Sequence, residues 1–195
     1  MGITGLLRSL LRPRGIAASW GLAEATFFFL VPDILLTRIA IRGLVPALWA
    51  AAAAMLGAVL GGIIMYLLGQ GAFIAACRFL DFIPAISPPM IAAAGADVAA
   101  RGLWPALLSG AVGGVPYKIY AVWAGHLNVP VLWFMAASGM ARAARFVTAV
   151  FLSWAAAHIL SRWMPRRHLY ILHAALWVIF YVWYFVVFGS LLDLY

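Results

Sequence analysis

One apolar run, residues 44–68, constrains this chain more than any other feature, because it contains no charged side chain. At about 1.5 Å per residue, a helix of that length crosses the roughly 30 Å hydrocarbon core of a bilayer. The composition agrees, since 67% of the 195 residues are apolar and only 9% are charged, against about 25% charged residues in soluble domains. A soluble fold could not cover this much apolar surface. We therefore expect an integral membrane protein.

Several functional classes are excluded by what the sequence lacks. The single cysteine, Cys77, excludes an intramolecular disulfide, and the four histidines have no metal-ligand spacing. No glycine-rich phosphate loop and no nucleophile elbow is present. The formal charge of +8 comes mostly from arginines at the ends of apolar runs, which is typical of loops beside an anionic leaflet. We expect no metal, no cofactor, no nucleic-acid partner and no enzymatic activity.

Two further apolar runs, residues 130–160 and 169–192, are predicted to cross the membrane together with 44–68. The aromatic residues of the last run, 177–185, are interpreted as interface anchors. Gly57 and Gly61 form a stripe of small residues that permits another helix to approach closely.

Two other apolar stretches, 16–37 and 103–127, are broken and contain charges. Irregular backbone at membrane depth persists only where protein or a water-filled cavity covers it. Each stretch is therefore predicted to be a re-entrant hairpin that enters the membrane, turns and returns. The residues that shape the two turns are Pro32, Gly113, Gly114 and Pro116.

An internal repeat relates the two broken stretches. Val31-Pro32 recurs as Val115-Pro116, and the segment 45–49 recurs as 129–133, both at an offset of 84 residues. A unit of one hairpin and one span crosses the bilayer once, so its copy starts from the opposite face. The predicted fold is an all-α integral membrane protein with two inverted repeats, each a re-entrant hairpin plus a transmembrane helix, and a C-terminal transmembrane helix.

This fold divides the chain into three parts. Residues 1–15 form a basic cytoplasmic segment, and 161–195 hold the C-terminal transmembrane helix. The membrane domain, residues 16–160, contains the repeats 16–68 and 103–160 and an extramembrane or interfacial linker, 69–102. Arginine placement favours a cytoplasmic N-terminus.

Five charged residues lie in the broken stretches or in the predicted span 130–160, where a charge at bilayer depth costs about 3 kcal/mol. They are Glu24, Asp33, Lys118, Arg142 and Arg145. We predict that Asp33 and Lys118 pair across the repeat axis. Glu24 is the candidate for proton exchange, or else it is hydrogen-bonded locally at a helix N-terminus. Arg142 and Arg145 share a helix face and are candidates to grip a lipid phosphate; the alternatives are snorkelling or pairing with Glu24.

Four motifs occur in order along residues 20–150. They are Glu24 with Pro32-Asp33, then Gly57-x3-Gly61-x4-Tyr66-x2-Gly69, then Pro116-x-Lys118 with Ala124-Gly125, and finally Gly139 with Arg145-Phe146. In this combination the chain resembles the DedA family (VTT or SNARE-associated Golgi domain), especially its short YqaA-like members. The resemblance implies facing re-entrant hairpins, a bacterial inner-membrane location and movement of undecaprenyl phosphate or phospholipid between leaflets, coupled to protons in some members. By the same resemblance, Glu24 and Asp33 are required acids and Lys118 is a required base.

The expected function is translocation or scrambling of an anionic lipid, with a lipid head group and protons as partners. Two alternatives stay open: a proton-coupled transporter of a small solute or ion, and a non-transporting membrane-homeostasis factor. An oligomer is compatible with each of them.

Overall fold

The structure, a computed structural model, describes residues 13–192, and within them it contains nine α-helices and no β-strand. Most of the predicted basic segment, residues 1–12, lies outside the described residues, as do residues 193–195. In chain order the helices are α1 Pro13–Thr26, α2 Asp33–Ala40, α3 Leu44–Gly71, α4 Phe73–Asp81, α5 Pro88–Arg101, α6 Leu103–Gly113, α7 Tyr117–His126, α8 Val131–Leu160 and α9 Arg166–Leu192.

Three of these helices are long and apolar enough to cross a membrane, judged by length and composition. They are α3, α8 and the segment Arg166–Val186 of α9, and they coincide with the three predicted spans. The all-helical fold class is therefore confirmed, and the helices indicate a membrane protein.

Helix α3 is the centre of the molecule, and α1 packs along its N-terminal half. The two backbones touch, because a Cβ atom added at Gly57 would lie 1.9 Å from the carbonyl oxygen of Ala18, and one added at Gly21 would lie 2.1 Å from that of Ala54. The predicted close approach at Gly57 and Gly61 is confirmed.

The C-terminal half of α3 packs against α7 in the same manner. A Cβ atom at Gly69 would lie 2.0 Å from the carbonyl oxygen of Val122, and one at Gly125 would lie 1.9 Å from that of Tyr66. On the other side of the molecule, α2 packs against α8. Each short helix therefore contacts the long helix of the other predicted repeat.

Both broken stretches are interrupted where the sequence predicts. The first break separates α1 from α2, and the second separates α6 from α7. The short helices begin at Asp33 and Tyr117, which are 84 residues apart, in agreement with the repeat offset. Gly114 in the second break has a φ of +78°, which favours glycine.

The predicted linker, residues 69–102, is itself helical and packs on the core. It contains α4 and α5, and α5 buries Ile91, Ala94 and Val98. At the exposed end of α5, Arg101 donates hydrogen bonds to Asp97 and holds the pKa of that carboxyl below its ordinary value. The linker is therefore a structural layer beside α7.

Candidate functional site: a charged cleft between the two helix breaks

A cleft of about 420 Å³ lies where the two helix breaks meet α9 and the turn after α4. Its charged lining comes from Glu24, Lys118 and Arg145. Opposite them is an aromatic wall, which consists of Phe29, Phe180, Tyr181, Trp183 and Tyr184. The cleft thus places charged groups beside aromatic side chains.

Glu24 and Arg142 form a buried ion pair. Glu24 lies in the last turn of α1 and is 5% exposed, and Arg142 of α8 is 4% exposed. Arg142 Nη2 donates a hydrogen bond of 3.2 Å to Glu24 Oε1, and Nη1 lies 2.9 Å from Oε2, at angles that make a charge contact rather than a hydrogen bond. The alternative that Arg142 pairs with Glu24 is confirmed. The alternative of a local hydrogen bond at a helix N-terminus is wrong, because Glu24 is near the C-terminus of α1.

Asp33 pairs with Arg145 instead of Lys118. Arg145 Nη2 donates a hydrogen bond of 2.8 Å to Asp33 Oδ2, at the first residue of α2. The Asp33 side chain is 6% exposed and that of Arg145 is 32% exposed. The predicted pairing of Asp33 with Lys118 is wrong. The two arginines on one face of α8 form salt bridges with both carboxylates of the first broken stretch.

Lys118 binds the backbone of the first break. It is the chain's one lysine, it is 2% exposed, and its Nζ donates a hydrogen bond of 2.8 Å to the carbonyl oxygen of Phe28. In a continuous helix that oxygen would accept from the N–H of residue 32, but Pro32 has none. Pro32 therefore frees the acceptor that Lys118 uses, and the second broken stretch is tied to the first through this bond.

The five predicted charged residues surround one site. Three cationic and two anionic side chains leave one formal positive charge in this charged cluster (Glu24, Asp33, Lys118, Arg142 and Arg145). The turn-shaping residues Gly113, Gly114 and Pro116 line the same cleft, and Pro32 is buried beside Asp33. The described residues hold no group of three or more His, Cys, Asp or Glu side chains that could bind a metal ion.

The sequence analysis missed the contribution of α9. Tyr181 Oη accepts a hydrogen bond of 2.9 Å from the Val31 N–H, and His173 Nε2 lies 2.8 Å from Thr37 Oγ1. Trp177 Nε1 donates to Thr37 Oγ1 at 3.3 Å. Residues 173, 177 and 181 are four apart and share a helix face. That spacing was the available signal that this face packs against α2, beyond the predicted role of an interface anchor.

A pair of double-mutant cycles tests which cation Asp33 binds. We expect a coupling energy of about 1 kcal/mol between Asp33→Asn and Arg145→Gln, since this pair is partly exposed. Asp33→Asn and Lys118→Met are expected to be additive within about 0.5 kcal/mol. Thermal unfolding in detergent micelles, followed by circular dichroism, supplies the four stabilities of each cycle. Strong coupling to Lys118 with none to Arg145 would reverse the assignment.

Comparisons with known proteins add no identification. Searches against protein-family models, curated proteins and solved structures found no match. DedA-family membership stays a prediction.

Proposed function

We propose that this chain moves an anionic lipid between the leaflets of a bilayer, with the two broken stretches as re-entrant hairpins in an inverted repeat. The observation that carries the proposal is Lys118, a buried ammonium at the cleft whose one hydrogen bond within residues 13–192 goes to a backbone carbonyl. The other members of the charged cluster are paired as two salt bridges.

The charge balance supports an anionic ligand. An ammonium group has three N–H donors, and a single carbonyl satisfies one of them. Glu24 attracts the Lys118 ammonium electrostatically, but its carboxylate is already paired with Arg142. Burying an excess charge is unfavourable, so a ligand that carries a phosphate would balance the remaining positive charge of the cluster at Lys118. Arg145, which is partly exposed at the cleft, would supply a second donor to the same phosphate.

The aromatic wall supports a lipid as the bearer of that anion. An anionic head group would lie against the charged lining, and its apolar part would lie along Phe180 and Trp183 of α9. Helix α9 is the least buried of the three candidate spans, with 6% of its apolar window buried in the protein. Its outer surface is therefore available to lipid, and the cleft lies directly behind it.

The repeat supports access from both leaflets. The two short helices start 84 residues apart, and each packs against the long helix of the other repeat. A two-fold axis in the membrane plane that relates the two repeats would produce this exchange of packing partners. Both breaks then meet near the bilayer midplane, at equal depth from the two surfaces.

Leaflet exchange in vesicles tests the proposal. Purified protein in phosphatidylcholine vesicles is assayed with a fluorescent phosphatidylglycerol, with undecaprenyl phosphate and with a fluorescent phosphatidylcholine. We expect exchange of an anionic lipid, and a loss of at least about tenfold in Lys118→Met, because one charge-assisted hydrogen bond to a phosphate contributes about 1.5–3 kcal/mol. Arg162→Met, which removes an exposed charge in the turn before α9, is the matched control and should leave the rate unchanged.

Two outcomes would contradict the proposal. One is folded wild-type protein that exchanges none of the three lipids, and the other is exchange that is equal for Lys118→Met and the wild type. Uptake of inorganic phosphate by the same vesicles, without lipid exchange, would favour the transporter of a small anion instead.

A further inference from the structure

Tyr117 contacts the charged cluster through its ring. It is the first residue of α7, it precedes Lys118, and it is 7% exposed. The Cζ atom of Arg142 lies 4.2 Å from the centroid of the Tyr117 ring, which is a close cation–π contact. Phe134 is nearly parallel to the ring, with 6.3 Å between the centroids and 7° between the planes.

Gly62 of α3 defines where the Tyr117 ring can lie. A Cβ atom at Gly62 would be 2.1 Å from the Tyr117 hydroxyl oxygen and 2.9 Å from its Cζ atom. Any side chain at position 62 would therefore displace the ring. The Tyr117 hydroxyl interacts with the Ser138 side chain, although neither hydroxyl has a hydrogen-bond partner of ordinary geometry among the described residues. Arg142 contacts the ring and not the hydroxyl group.

From this geometry we infer that Tyr117 is a positioning residue that holds the Arg142 guanidinium in register with Glu24, and that Gly62 is the residue that makes room for it. The inference rests on the proposed function and adds to it a coupling between the hairpins. A movement of the second hairpin tip moves Tyr117 as well and changes its cation–π contact with the Arg142 guanidinium. The ion pair between Glu24 of the first hairpin and Arg142 of α8 then responds to the state of the second hairpin.

Three substitutions test separately the aromatic ring of Tyr117, its hydroxyl group and the space that Gly62 provides for the ring. Tyr117→Leu removes the aromatic face and is expected to slow lipid exchange about tenfold, in line with a desolvated cation–π contact. Tyr117→Phe retains the face and is expected to exchange lipid at the wild-type rate. Gly62→Ala displaces the ring and should resemble Tyr117→Leu, while Gly71→Ala, on the same helix with nothing within 4 Å of its added Cβ atom, should not.

The double variant Gly62→Ala with Tyr117→Phe gives a rescue test. Removing the hydroxyl relieves the 2.1 Å contact and leaves the 2.9 Å contact to Cζ, so we expect recovery of part of the lost rate. Tyr117→Phe that rescues nothing in the Gly62→Ala background would contradict the assignment of Gly62.

Arginine labelling provides a readout that does not depend on lipid exchange. Phenylglyoxal treatment, chymotryptic digestion and mass spectrometry quantify modification of Arg142 relative to Arg145 in the same peptide region. Arg142 is 4% exposed and is expected to be protected in the wild type and in Tyr117→Phe, and to become at least about threefold more reactive in Tyr117→Leu and Gly62→Ala.

The two readouts distinguish failure of the inference from failure of the proposed function. Unchanged protection of Arg142 in both Tyr117→Leu and Gly62→Ala would overturn the positioning role. Wild-type protein that exchanges no lipid would overturn the proposed function, whereas loss of Arg142 protection in these variants would still support the positioning role.

Discussion

Replacing Arg142 by alanine is expected to destabilise the protein by about 3–5 kcal/mol, because it leaves the Glu24 carboxylate buried without a counter-ion. Both residues of this pair are at most 5% exposed. Arg145→Ala is the matched control, since it breaks an ion pair on the same helix face in which the arginine side chain is 32% exposed. It should cost no more than about 1–2 kcal/mol. Thermal unfolding in detergent gives both values.

Removing both members of the buried pair gives a contrasting result. Glu24→Leu with Arg142→Met replaces two buried charges by apolar side chains of similar length, a change that is often neutral or stabilising. We expect this double variant to unfold within about 1 kcal/mol of the wild type and yet to have lost lipid exchange. A double variant as unstable as Arg142→Ala would show that the ion pair is needed for the fold. A double variant that still exchanges lipid would show that the ion pair is not needed for lipid exchange.

The second large effect is expected at the contact between α1 and α3. A Cβ atom at Gly57 would lie 1.9 Å from a backbone oxygen of Ala18, and a backbone cannot move aside as a side chain can. Gly57→Val should therefore separate the two helices at a cost of more than about 3 kcal/mol. Since Glu24 is on α1, its distance from Arg142 would change as well.

Size-exclusion chromatography and thermal unfolding measure this effect, with Gly71→Ala as the control on the same helix. That control meets no atom within 4 Å and gains helix propensity, so its stability should equal or slightly exceed that of the wild type. A Gly57→Val protein with wild-type stability would show that α1 does not contact α3 in solution.

The spans, the breaks and the charged residues could be predicted because each is a local property of the sequence. A charge-free apolar run predicts a membrane span, and a proline within an apolar stretch predicts a break, whatever the rest of the chain contributes. The five charged residues stood out for the same reason. The structure places Glu24, Lys118 and Arg145 in the lining of one cleft and pairs Arg142 and Asp33 with two of them. The hairpin topology and the inverted arrangement of the repeats stay proposals.

The pair of Glu24 with Arg142 is only one of several alternatives that the sequence leaves open, and the partner of Asp33 could not be predicted, because both depend on how α8 is rotated against the first broken stretch. The partner of Lys118 is a main-chain carbonyl, and no side-chain pattern marks it. The sequence predicts a turn at Pro32, but the absence of an N–H at this residue also leaves the carbonyl of Phe28 without a helical donor. The residues of α5 at positions 91, 94 and 98 follow a helical period, which prolines and charges nearby obscured.

The order in which the chain is synthesised has a consequence for the two carboxylates of the first broken stretch. Glu24 is separated from Arg142 by 118 positions, and Asp33 from Arg145 by 112. At about 5–20 residues per second, each acid is added to the chain roughly 6–24 s before its cation. Neither carboxylate can form its ion pair until α8 has been synthesised. The two ion pairs are therefore completed only after more than a hundred intervening residues have been added to the chain.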